Sequence, residues 1–336
     1  MQRHRNKGSA RNSNRLAGIV FGLFALGLSA PGFALGNYPT RSITLIVPFA
    51  AGGPTDVVAR IVGSQMEYTL GQPIVIENVV GAGGTTAAIR AMRSQPDGYT
   101  IIMGHMGTHA AAVALFPNLA YNPSRDFEPI GVVAGMPVLI VARKDFPATD
   151  LKEFVNYLRN NGSKGRMAHA GMSSVSYTTC RLFNSMIGAR PTMMAFQGTA
   201  PALNALIAGR IDYMCDQVGS TVVALQSGSI KAYAVATGAR IPALPNVPTT
   251  TEAGLPEFQA SAWNALFAPK GTSPAIIATL NAALSKALDE RDTRKQLFDL
   301  GGDIPNHEER TPQALAKLVE SEITKWTEIL KDVNRH

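Results

Sequence analysis

The amino-acid sequence predicts an α/β protein of two lobes, each a mostly parallel sheet flanked by helices, with a cleft between them. Three observations lead there. Short β-rich runs alternate with helix-length stretches from Asn37 onward, and a second set of such runs starts near the middle of the chain. The chain also has 336 residues of which 46% are hydrophobic, more core than one compact lobe holds.

The first segment is a leader. Arg3, Arg5, Lys7, Arg11 and Arg15, with no acidic residue among them, precede an uncharged apolar run from Leu16 to Leu28 that ends near Gly32-Phe33-Ala34. That is the layout of a secretory signal peptide cut near Ala34. The run is roughly 13 residues, short of the about 20 that a membrane span requires. Loss of the leader takes the 31 basic residues to 26 against 24 acidic, so the formal charge of +7 falls to about +2. A nucleic-acid partner then has no support. Cys180 and Cys215 in an exported chain leave a disulfide open, but two small buried thiols are the preferred reading because spacing alone does not bring them together.

The strands follow in order. Ile43-Thr44-Leu45-Ile46-Val47, Ile74-Val75-Ile76, Thr100-Ile101-Ile102-Met103 and Val138-Leu139-Ile140-Val141 alternate with helical patterns. Met167-Ala168-His169, Met193-Met194-Ala195-Phe196, Tyr213-Met214-Cys215 and Ala232-Tyr233-Ala234-Val235 repeat the rhythm in a second lobe. The Pro-rich passage from Ile241 to Pro248 reads as a surface connection out of that lobe. Beyond it, Ile277, Leu280, Leu284 and Leu288 recur at helical spacing. Leu315, Val319, Ile323, Trp326 and Leu330 do the same behind the start signal Thr311-Pro312, so the chain is expected to return to the first lobe. The division is a leader over 1–34, one lobe from 35–137 with 251–336, and the other from 138–250.

The chemistry sits where strands end. Four times a strand runs into small residues and glycines and then into a helix: Phe49-Ala50-Ala51-Gly52-Gly53-Pro54-Thr55-Asp56, Gly81-Ala82-Gly83-Gly84-Thr85, Gly171-Met172-Ser173-Ser174, and Gln197-Gly198-Thr199-Ala200-Pro201. Pro54 suits a first helical position, Asp56 the first turn, and Thr199 a cap. A helix N-terminus presents unpaired amides and about half a positive charge, so it binds an anion without a lysine, and ligands collect at the carboxyl ends of strands. Four such turns, two in each lobe, predict an anion pocket between the lobes. Glycine-rich connectors are common in any α/β protein, so it is their number and matched placement that carry weight.

Competing chemistries lack their residues. There is no Gly-x-x-x-x-Gly-Lys-Ser/Thr, and Gly81-Ala82-Gly83-Gly84 lacks the third dinucleotide glycine. No Gly-x-Ser-x-Gly elbow occurs, so no catalytic residue, cofactor or metal is expected. His105 and His109 are four apart but without a companion ligand, and are assigned packing roles. Asp216 follows a strand end, where it either accepts hydrogen bonds from a ligand or caps a local turn. Trp263 and Trp326 are read as core or interlobe packing.

Taken together, Tyr38-Pro39-Thr40-Arg41, the Val47 to Asp56 stretch, Glu77-Asn78, Gly81 to Gly84, Pro96-Asp97-Gly98-Tyr99-Thr100, Asp126 to Ile130, Ala200-Pro201-Ala202-Leu203, Leu244 to Thr249, Glu252-Ala253-Gly254 and Lys325-Trp326 follow a known pattern in order and spacing. The chain closely resembles the solute-binding proteins of tripartite tricarboxylate transporters, the Bug family, over nearly all of the mature sequence. The resemblance implies a type II periplasmic binding fold, and a monomer in the periplasm that takes a small organic acid or amino acid. It further implies delivery to a two-subunit membrane permease. Alternatives are a sensor that feeds a membrane signalling kinase, or an exported hydrolase. By position it points to Phe49, Ala51, Gly52, Gly53, Thr55 and Asp56 in the first loop, and to Ala82, Gly83, Gly84 and Thr85 in the second. Thr108 lies nearby, and Ser173, Ser174, Gly198, Thr199 and Asp216 come from the second lobe. Asp56→Ala is therefore expected to weaken binding and leave the fold intact. The chain departs from the pattern at Tyr177, where relatives carry a histidine, and at Phe196-Gln197-Gly198, where they carry Tyr-Lys-Gly. Without those two cations, a ligand with fewer charges or an uncharged distal part against Tyr177, Phe196 and Gln197 is expected.

Overall fold

A computed structural model of the chain describes residues 38–333, so the predicted leader lies outside the described residues. Its elements, in chain order, are β1 (Ile43–Val47), α1 (Pro54–Leu70), β2 (Ile74–Asn78), α2 (Thr85–Met92), β3 (Thr100–His105), α3 (Ala112–Leu115), β4 (Phe127–Arg143), α4 (Leu151–Asn161), β5 (Arg166–His169), α5 (Val175–Ile187), β6 (Thr192–Ala195), α6 (Thr199–Ile207), β7 (Tyr213–Gln217), α7 (Val218–Gln226), β8 (Ile230–Val235), β9 (Ser261–Pro269), α8 (Pro274–Asp289), α9 (Arg291–Asp299) and α10 (Pro312–Val333). Every predicted β-rich run is a strand. The first half of β4 and all of β9 were not anticipated, for sequence reasons. Pro129, Gly131, Gly135 and Pro137 read as breakers, and Ser261–Pro269 carries no β-branched residue.

The strand order is β2-β1-β3-β9-β4-β7-β5-β6, with β8 also on β4. β1 lies parallel between β2 and β3, and β5 lies parallel between β6 and β7. The antiparallel β9 and β4 join the two groups. β4 does so by changing partners partway along. It pairs β9 up to Pro137↔Ser261 and β7 from Val138↔Gln217. The other connecting segment is tied to the same point, because Val138 N donates to Ala260 O and Ala236 N donates to Val138 O. Two chain crossings bonded to each other form a narrow waist between the groups.

One buried core runs through both groups, from Ile46, Ala88 and Ile102 to Phe154, Cys180 and Tyr213, and each group also has a core of its own. In the first, Val58, Val62 and Met66 of α1 pack with Leu280 and Leu284 of α8 over Leu45, Val47 and Ile101. In the second, Ala202, Ala205 and Leu206 of α6 pack with Val218 and Val222 of α7 over Leu139, Val141 and Met214. Helix starts are set by local chemistry: Asp150, Ser174 and Ser273 each accept a hydrogen bond from the third helical residue, and Pro occupies the first helical position of α1 and α8. Cys180 of α5 and Cys215 of β7 are bridged, with Cα atoms 5.2 Å apart. This corrects the preference for two free thiols. The pairing depends on α5 lying against β7, a long-range contact that a sequence separation of 35 does not disclose.

Candidate ligand-binding site

β1, β2, β5 and β6 all end at the waist, and each gives way to a helix N-terminus there. The turns from the two groups meet. Ser173 Oγ donates to Gly83 O at 2.6 Å, and a methyl at Gly83 would lie 2.7 Å from Ser173 N. A methyl at Gly198 would lie 3.0 Å from Ala50 Cβ, and one at Gly52 3.9 Å from Ala200 Cβ. Gly83 has φ 67°, a left-handed conformation that only glycine adopts without cost, so its lack of a side chain serves both the turn and the approach. Gly84 also sits close against Phe49 and Thr108.

Two spaces lie between the groups. The outer is a cavity of about 630 Å³ whose walls include Phe49, Ala82, Gly83, Gly84 and Gln197 from the predicted set. The inner chamber is small, about 10 Å³, and is walled by Phe49, Thr55, Ser174, Thr199 and Asp216 from that set. Gly52, Gly198, Ser173 and Thr108 form the seams described above. Ala51 is exposed and outside both walls, and Gly53 closes a turn by donating to Ala50 O. Thr85 donates from Oγ1 to Ala82 O and so shapes its own loop. Tyr177 stands behind the wall with its ring 4.9 Å from that of His169, which does line the outer cavity.

Asp56 is 1% exposed, and its carboxylate accepts from Gly52 N at 2.9 Å, from Arg60 Nε and Nη2, and from Asn78 Nδ2. Burial pushes its pKa up, but the hydrogen bonds from Arg60, Gly52 and Asn78 outweigh that and hold it below the ordinary carboxylate range. Its charge anchors the first loop from beneath. Thr199 is the first residue of α6 and does not cap it. The cap position is Gly198, and Thr199 Oγ1 donates to Asp216 Oδ2 at 2.7 Å. The expected cap fails because the helix starts one residue earlier than expected: Gly198, in extended backbone, takes the cap position and Thr199 is already the first helical residue. Asp216 also accepts from Gln217 N, and burial raises its pKa to about 7 against the lowering effect of those two bonds.

His109 stacks on Phe267 with centroids 4.1 Å apart, and His105 stacks on Phe49 at 5.1 Å. Burial lowers both histidines to about 3, so both rings are neutral at pH 7. Among the described residues, neither wall contains a lysine or arginine. The starts of α1, α2, α5 and α6 border these spaces, and the helix dipole puts partial positive charge there. Sequence reading missed His169, Phe116 and Met172 in the outer wall, and His105, Ser176 and Gln217 as inner-wall residues. Gln217 follows Asp216 directly, yet nothing in its spacing marks it. Trp263 and Trp326 lie elsewhere, both donating from Nε1 to Glu322 Oε2.

An α/β molecule in two strand groups, with helix N-termini from both converging on a cleft at their waist, is a solute-binding protein of the two-lobed kind. Residues 58–335 match the model of the tripartite tricarboxylate transporter family receptor, and the chain belongs to that family, as its motifs implied. Among curated relatives, BugT of Bordetella pertussis is 31% identical over 96% of this chain and 98% of its own. Among solved structures, MatC from Rhodopseudomonas palustris, with bound malate, is 53% identical at a TM-score of 0.85, covering 87% of this chain and 99% of that one. A second R. palustris protein, solved with adipate, is 32% identical at a TM-score of 0.84 over 88% and 98% of the two chains.

Proposed function

We propose that this chain is an exported receptor that closes its lobes around a small carboxylate and presents it to a two-subunit membrane permease, without catalysing a reaction. The observation that supports this reading most is the meeting of four helix N-termini in one cleft whose walls hold no lysine or arginine. Such a cleft suits one or two carboxylates better than three, since main-chain dipoles are diffuse and no side-chain cation is present to neutralise a further charge. The bound malate of MatC makes a four-carbon dicarboxylate the first ligand to try. We place the lobe boundaries at Pro137/Val138 and near Thr250, so that the bonded crossings act as the hinge.

Titration calorimetry with malate, succinate, monocarboxylates and citrate tests the reading. A small mono- or dicarboxylate is expected to bind best. Gln197→Lys, which restores a cation to the outer wall, is expected to raise affinity for citrate by about tenfold, roughly 1.4 kcal/mol. Citrate binding to the unaltered protein at least about tenfold tighter than any monocarboxylate contradicts the charge argument, and silence across the whole panel contradicts the receptor reading.

A further inference from the structure

The inner chamber is lined by polar groups that its own walls leave unpaired. Gln217 and His105 are both fully buried, and the amide oxygen and nitrogen of Gln217 and the Nε2 of His105 have no hydrogen-bond partner. Buried polar atoms of native proteins are almost always paired, so these three need a partner that is not part of the chain. The chamber is walled from both strand groups, by Thr55 and His105 on one side and by Ser174, Thr199, Asp216 and Gln217 on the other. It is therefore open to solute whenever the lobes part.

The hydrogen-bonding roles are fixed by neighbours. Nδ1 of His105 accepts from Gly107 N at 2.8 Å, and the ring is neutral, so Nε2 carries the proton and is a donor. Gln217 supplies further N–H donors on Nε2 and an acceptor on Oε1. The partner must therefore accept from both residues and donate to Gln217. A carboxylate oxygen cannot donate to the amide oxygen of Gln217, and an ammonium cannot accept from His105. A hydroxyl does both, and it matches a space of about 10 Å³. The first turns of α1, α5 and α6 border the same chamber, so a carboxylate held at those helix starts lies next to it.

We propose that Gln217 and His105 form a hydroxyl subsite, so that this receptor selects hydroxy-carboxylates over their deoxy counterparts. This rests on the carboxylate-receptor reading above. The test is calorimetry on paired ligands, malate with succinate, 3-hydroxybutyrate with butyrate and citrate with tricarballylate, for the unaltered protein and for Gln217→Met, an apolar side chain of similar shape. The unaltered protein is expected to favour the hydroxy member of at least one pair by about tenfold or more, because a site built to pair a hydroxyl leaves groups unsatisfied without it. Gln217→Met is expected to bring that ratio below about threefold. Equal binding of both members by the unaltered protein overturns the subsite and leaves the receptor reading standing, since an ordered water then satisfies the three atoms. A variant that keeps the ratio also overturns it. Absence of binding by every carboxylate overturns the receptor reading and this inference with it.

Discussion

The outer cavity is walled by Gly81, Gly83, Gly84 and Gly171 with Phe49, Phe116 and Phe196, whereas the inner chamber is walled by Thr55, His105, Ser174, Ser176, Thr199, Asp216 and Gln217. One is main chain and apolar rings, the other polar side chains. The outer wall offers backbone dipoles that attract any anion and rings that tolerate many shapes. The inner wall offers hydrogen-bonding groups in fixed roles that discriminate among them. Charge recognition and chemical discrimination are thus assigned to different materials, and the division predicts different responses to substitution.

The largest effect is expected where main chain meets main chain. Gly83→Ala places a methyl within 3 Å of the Ser173 and Met172 amides across the cleft, and backbone cannot move aside as a side-chain tip can. Closure should be blocked and ligand affinity should fall by about 100-fold, some 2.7 kcal/mol. The left-handed conformation adds about 1–2 kcal/mol of strain, so the unliganded melting temperature should fall by only a few degrees. Near-normal affinity would mean that this approach is dispensable.

Next in size is the bridge beneath the inner chamber. Cys180 lies on the helix that begins with Ser174 and Ser176, and Cys215 immediately precedes Asp216, so the disulfide ties two walls together. Replacing both cysteines by alanine frees a 35-residue loop and should lower stability by about 2–4 kcal/mol in a urea titration. Ligand affinity should change far less than with Gly83→Ala. If stability is unchanged, the walls hold without the bridge.

A third effect is a pH dependence of stability. Asp216 binds its proton more tightly when folded, with a pKa near 7 caused by burial, than when unfolded at its ordinary value of 3.8. A raised carboxyl pKa means that the folded state holds the extra proton between those values, so its contribution turns against stability as pH rises from about 4 to about 7. Asp216→Asn removes that term. Its melting temperature relative to the unaltered protein should climb over that interval and level off above it. A difference that is flat with pH would show that the carboxyl stays ionised in the fold.

Much of this architecture was written in local patterns. The alternation of strands and helices, and the glycine-rich turns that carry Gly52, Gly83, Ser173 and Gly198, depend on neighbours in sequence and were legible there. What escaped depends on contacts between distant segments. β9 forms because β3 and β4 offer it partners, not because Ser261–Pro269 favours a strand. Thr199 looks like a cap but is the first helical residue and turns its hydroxyl to Asp216 of a distant strand, and Cys180 finds Cys215 only once α5 packs on β7. Gln217 and His105 gain their meaning from a chamber that exists only between two lobes. The outer wall was therefore foreseeable in its glycines and the inner wall only in part.

The most direct test of the account is a crystal structure of the protein with malate at a resolution that places the carboxylate oxygens. Those oxygens should accept hydrogen bonds from main-chain amides at the starts of α1, α2, α5 or α6, directly or through one water, with no lysine or arginine nitrogen within about 4 Å. A carboxylate paired with a basic side chain, or a ligand seated away from the cleft, would contradict it.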